Sequence, residues 1–177
     1  MTSTATELGM TPGTWQIDPA HSEVMFVIRH LMSKVRGSFT AFSGTVEIAE
    51  ELKDSSVRAT VDMSSVDTRN ADRDKHLKAA DIFDVANHPE MTFVSTALRD
   101  AELDGELTVR GVTRPVTLFV EFNGVGDDPW GGVRAGFTAT AEISRKDFGI
   151  EFNIPVGEGL TLGDKVGIIL ELQAVKQ

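Results

Sequence analysis

The side chains of this 177-residue chain with chemistry to offer are four histidines, His21, His30, His76 and His88, and two small basic clusters. No pair of histidines has the HExxH or HxH spacing that places two imidazoles on one metal, and no metal site is expected. There is no cysteine, so thiolate nucleophiles, disulfides and Cys-based metal sites drop out. No nucleophile elbow, P-loop or dinucleotide fingerprint occurs. The stretch GVGDDPWGG (124–132) is glycine-rich but follows no βα pattern, so it reads as a turn rather than a phosphate cradle. His30, near a strand end, and the Asp74/His76 pair are the residues that could move a proton. Neither has a third group to orient it, and no catalytic residue or cofactor is expected. The basic clusters are Arg69, Arg73 and Lys75, and Arg145 with Lys146. On an acidic chain they could hold a phosphate or polar head, or simply pair with Asp72, Asp74 and Asp147 beside them.

The first cluster must be positioned by the one segment that reads as a helix, residues 70–87. Asn70 is a good N-cap, Asp72 and Asp74 suit the positive end of the dipole, and His88-Pro89 stops the helix. Leu77, Ala80 and Phe83, with Ala71 and Asn87, form a stripe that must lie on the outside of a sheet or over the mouth of a barrel, and the second is the reading adopted. Nearly everything else alternates apolar and polar at period two, as antiparallel strands do. A short extended piece at 14–18 precedes strands at about 22–30, 35–48, 56–64, 91–98, 103–109, 115–123, 133–144 and 165–175. Gly37 and Gly44 mark bends or bulges, and GVTRP (111–115) reads as a turn. Roughly eight long strands favour an all-β closed barrel over a sandwich, because closure removes the edges. Residues 1–13 read as a disordered tail and 14–177 as one domain.

Net charge −10 argues against nucleic acid and against electrostatic docking on anionic lipid. No apolar run is long enough to span a bilayer. The first thirteen residues lack Lys and Arg and do not form a secretory signal, which points to the cytoplasm. A barrel with exposed strands leaves a homodimer open.

Whether the barrel is hollow turns on strand 133–144, whose apolar face is Val133, Ala135, Phe137, Ala139, Ala141 and Ile143. Small side chains in a row leave volume that either a large neighbour or a ligand fills. Ten Phe, two Trp and no Tyr give an interior suited to hydrocarbon rather than to sugar or nucleotide.

In order, WQIDPAHSEVMFVIRH (15–30), VRGSFTAFSGTVEI (35–48), RDKHLKAADIFDVANHPEMTF (73–93), GELTVRGVTRPVTL (105–118) and SRKDFGI (144–150) closely resemble the YceI-like family, over about 13–175. The resemblance implies an extended lipocalin-like antiparallel barrel of eight strands that holds a long polyisoprenoid, such as an isoprenoid quinone or prenyl precursor. It also implies a part in storage, transport or stress response. Many relatives are exported, and many carry Tyr where this chain has His88.

The expected function is therefore a non-enzymatic carrier of a polyisoprenoid lipid. Its lumen is expected to be lined by Phe26, Ile28, Phe39, Phe42, Val61, Leu107, Leu118, Val120, Phe137, Ala139, Ile143, Ile168 and Leu170. Arg73, His76 and Arg145 are expected at the rim, facing a head group. The alternatives are a small lipid-modifying enzyme using His30 or Asp74/His76, and a filled barrel that meets a protein partner through Trp130.

Overall fold

One strand of 15 residues, Leu162–Lys176, is paired along both edges and ties the molecule together. It belongs to a computed structural model that describes residues 3–157 and 159–177. In chain order the elements are α1 (Ala5–Leu8), β1 (Gly13–Ile17), β2 (Glu23–His30), β3 (Ser33–Phe39), β4 (Phe42–Ile48), β5 (Ser56–Asp62), β6 (Val66–Asp67) and α2 (Ala71–Leu77). They continue with β7 (Glu90–Arg99), β8 (Glu102–Val109), β9 (Val112–Asp127), β10 (Val133–Ser144), β11 (Pro155–Val156), β12 (Gly159–Leu160) and β13.

Closure comes from the order β1-β4-β5-β7-β8-β9-β10-β13, with β13 pairing back to β1 through Ile17↔Ala174. β2 runs on beside the same strand, Val24 opposite Leu170. β1 and β2 are thus two halves of one long strand, interrupted at Pro19–His21, where the Asp18 carboxylate accepts from the Ala20 N–H. β3 and β4 are likewise two halves separated at Thr40-Ala41. The result is the all-β, eight-stranded antiparallel barrel that the alternating pattern predicts.

Several local expectations are corrected. Gly37 and Gly44 are not bulges: a Cβ at Gly37 would run into the Phe26 ring and Thr68, and one at Gly44 into Ile17. The glycines are seats across which an inward side chain lies. The turn expected over GVTRP shrinks to Arg110-Gly111, both at positive φ, and β9 begins at Val112. β9 also takes in residues 124–127, so the second turn is only 128–132, where the Asp128 carboxylate accepts from the N–H of Trp130 and of Gly132.

The expected disordered tail is instead built into the fold from Ser3 onward; Met1 and Thr2 lie outside the described residues. Thr4 and Glu7 form a capping box on α1, and Gly9 ends it at φ 80°. Ala5 and Met10 are buried against Trp15, Ile48, Ala135 and Ala174. The alanine row of β10 is explained here: at Ala135 the volume goes to the fully buried Trp15, and Ala139 and Ala141 sit in the central apolar cluster. This half of the barrel is solid.

The helix expected over 70–87 ends at Leu77. From Lys78 to His88 the chain runs through tight turns, with Asp84 at φ 49°. Buried Ile82 and its neighbours Phe83 and Val85 all join the core, a spread too wide for one helical stripe. Ala71, Ala80 and Asn87, assigned to that stripe, are exposed.

Candidate functional site

At the end of the barrel away from Trp15, the strands enclose a cavity of about 170 Å³. β2, β3 and β13 supply one wall, with Val24, Phe26, Ile28, Phe39, Val166 and Ile168. α2 and the turns after it supply a cover through Leu77, Ile82 and Phe83, and the segment after β10 closes the third side with Phe148, Ile150 and Phe152. Phe26 lies flat because Gly37 is opposite it in register. The cavity surface is almost wholly hydrocarbon, although His30, Thr68, Arg73 and Arg145 belong to its lining.

The charged members of that lining turn their polar ends into the protein. Arg145 is 3 % exposed. Its Nε donates to the Gly163 carbonyl, and one Nη donates to the carbonyls of Ile150 and Phe152, each at 2.8 Å. Its other Nη makes no hydrogen bond and stands 3.6 Å from Asp164. Arg73 donates to Thr68 Oγ1 at 2.8 Å and to the Thr68 carbonyl at 2.6 Å, and Asp74 accepts from the same hydroxyl. Arg110 holds the cover from outside, donating to Ala80 O at 2.8 Å and to Gly149 O at 2.7 Å. These three guanidiniums satisfy carbonyls of the turns around the cavity and, at Gly163, of the start of β13, and so fasten the cover and the third wall.

Of the residues expected in the lumen, the structure places Phe26, Ile28, Phe39, Ile143 and Ile168 on the cavity. Phe42, Val61, Leu107, Leu118, Val120, Ala139 and Leu170 pack in the central cluster, and Phe137 packs against the Trp15 cluster. Of the expected rim, Arg73 and Arg145 reach the lining but face inward to backbone. His76 stands one layer behind, its ring edge-on to Phe152 at 4.7 Å and its Nε2 3.1 Å from Asp81. The Asp74/His76 acid–base pair is not assembled, because Asp74 is engaged by Thr68 and His76 by Asp81. Sequence reasoning missed Arg110 and the whole wall from Phe148 to Phe152. SRKDFGI was a visible signal for that wall, with Gly149 at φ 75° turning the chain back.

Among the described residues no group of three or more His, Asp or Glu side chains could hold a metal ion. Nor is any helix among them long and apolar enough to cross a membrane. At the solid end, Arg134 bridges Asp18 at 2.6 Å and Asp128 at 2.8 Å, and His21 meets Asp18 at 2.7 Å. Arg134, then His21, hold the Asp18 carboxyl down at about 2.

An eight-stranded barrel with one end packed solid and an oily cavity under a cover at the other defines a lipocalin-like barrel architecture. Residues 15–174 match the YceI-like domain, and the chain belongs to the YceI-like family. It is 41% identical over 164 residues to protein YceI of Escherichia coli O17:K52:H18, covering 89% of this chain and 83% of that one. Among solved structures it is similar to Burkholderia cenocepacia BcnA, with TM-score 0.74, 25% identity, and 89% and 98% of the two chains covered. The Campylobacter jejuni YCEI protein gives 0.73 and 27%, over 82% of this chain and 87% of that one. A polyisoprenoid binding domain from Saccharophagus degradans gives TM-score 0.72 at 14% identity, over 94% of this chain and 100% of that one, a likeness of fold.

Proposed function

We propose that this protein holds the chain of a polyisoprenoid lipid, an isoprenoid quinone or a prenyl precursor, in the cavity beneath α2, and stores or transports it. The observation that carries the reading is the hydrocarbon wall. A surface with almost no polar atom exposed gives nothing to a sugar or nucleotide and favours an alkyl or prenyl chain by about 25 cal/mol per Å² removed from water. The name of the Saccharophagus domain, which shares this barrel, supports the same ligand class.

The cavity of about 170 Å³ has room for little more than a benzene-sized group, which fits a space of about 150 Å³. A longer chain requires the Arg73 and Arg110 hydrogen bonds to release the cover. Arg69 and Asp84, at φ 63° and 49°, stand on either side of it and are the positions where backbone strain is held. Because the wall offers a polar group almost no hydrogen-bond partner, the head group stays outside the cavity.

The test is Val166→Trp. Val166 sits between Ile143 and Ile28 in the register and faces the cavity. Native mass spectrometry with geranylgeraniol should show one bound chain in the wild type. Losing the burial of only two methylenes, about 0.8 kcal/mol each, lowers affinity roughly tenfold in the variant. Equal binding by a folded Val166→Trp protein places the chain elsewhere and defeats the reading.

A further inference from the structure

The turn between β2 and β3 breaks two local rules of folding. It is a two-residue connection, since His30 pairs with Ser33, and its first residue, Leu31, has φ 53°. Gly, Asn or Asp normally fills such a position. Here it is leucine followed by methionine, and both face water, Met32 almost entirely at 97 % exposed. Below the turn Arg29 stands directly opposite Lys34, with Arg36 further along the outer face opposite Val27. Like charges across a strand pair are destabilising. Among the described residues none of these three cations meets a carboxylate, and residues 24–46 contain no Asp or Glu on a chain of net charge −10.

The neighbouring β11–β12 hairpin adds to the same surface. The Leu31 N–H donates to the Thr161 carbonyl at 2.8 Å, and Ile154, Val156 and Leu160 are each 53 % exposed. The one carboxylate between Ile154 and Leu160, Glu158, lies outside the described residues. Immediately inward of these two tips, His30, Phe152 and Leu162 line the cavity. Among the described residues an apolar tip, collared by cations that meet no carboxylate, is therefore continuous with the oily bore.

We propose that the β2–β3 turn and the β11–β12 hairpin dock the protein on an anionic lipid bilayer. Leu31, Met32 and the hairpin's aliphatic residues dip into the head-group boundary, and Arg29, Lys34 and Arg36 meet lipid phosphate. The cavity then opens toward the membrane, and a prenyl chain passes between the two without crossing water. This rests on the carrier reading for its purpose but not for its test. The overall negative charge does not forbid it, because screening at physiological salt confines the field to about 8 Å and the local sign decides.

The experiment is sedimentation of the full chain with vesicles of phosphatidylglycerol and phosphatidylcholine in equal parts, and with phosphatidylcholine alone. The protein pellets with the first and much less with the second, and added salt releases it. Met32→Asp weakens partition about tenfold, as expected when one large apolar side chain is kept in water. Lys34→Glu with Arg36→Glu does at least as much, at about 1 kcal/mol per basic residue near the surface. Met32 lies on the exposed turn and Lys34 and Arg36 on the exposed outer face of β3, so both variants stay folded and keep geranylgeraniol binding. The double variant melts no lower than the wild type, because Lys34→Glu removes the repulsion with Arg29. Three results each overturn the proposal: no pelleting of the wild type, equal pelleting with both vesicles, or light scattering that shows a dimer which Met32→Asp dissolves, making the tip a self-association surface. A protein that docks but binds no prenyl chain keeps this proposal and loses the carrier reading.

Discussion

The two ends of this barrel are made from the same strands and do opposite things. Around Trp15 the bore is filled: Ala135 and Ala174 cede volume to the indole, α1 and Met10 cover it, and Arg134 closes the outside with two carboxylates. Around Phe26 the bore is left open, and the covering segments, which bury Ile82, Phe148 and Ile150, are fastened in addition by three arginines that bond their backbone carbonyls. The lesson is that a hollow end is stabilised differently from a filled one. Where apolar volume is left empty, hydrogen bonds from charged donors add to the fastening.

The contrast breaks hardest at the filled end. Trp15→Ala removes a wholly buried indole and should cost roughly 3–5 kcal/mol in urea unfolding, while a chain under α2 still binds whatever protein remains folded. Next is Arg145→Ala. It leaves the carbonyls of Gly163, Ile150 and Phe152 unpaired, at about 1–3 kcal/mol for a buried orphan acceptor. The loosening should appear as faster amide exchange confined to residues 145–163, with the β1, β4 and α1 region unchanged. A uniform rise across the barrel would show that the two ends are one cooperative unit.

The smallest effect sharpens the comparison through pH. Asp18 has its pKa held at about 2 by Arg134 and His21, against an ordinary 3.8. A carboxyl with a depressed folded pKa adds stability that is complete above its unfolded value and is lost as pH falls toward the folded one. The wild type should therefore shed stability between about pH 4 and pH 2, and Asp18→Asn should shed less over that range, because its side chain does not titrate. Thermal melts at fixed ionic strength read the difference. An identical slope in both proteins would mean that the Arg134 network does not lock the solid end.

Strand pattern was legible because it is local: Val133–Ser144 alternates cleanly and is found as β10 with those bounds. Closure was legible from strand number and length. What the sequence hid was which apolar residues meet a void and which meet one another. Leu107 and Ile168 alternate in the same way, yet the first packs in the core and the second faces the cavity, a difference set by the height of each along the bore. The cover was misjudged because Leu77, Ala80 and Phe83 fit a helical stripe, whereas tertiary packing draws Ile82, Phe83 and Val85 inward on a turning path. The head-group arginines were misjudged because composition cannot say that a guanidinium's neighbours are backbone carbonyls. At the other terminus a signal was present and overlooked: Thr4-x-x-Glu7 is a capping box written in plain sequence.

Phe26 rests where it does because residue 37 has no side chain. Any methyl group there would meet both the ring and Thr68, and the ring could not keep its place. The shape of the bore at this height is thus set by one missing carbon.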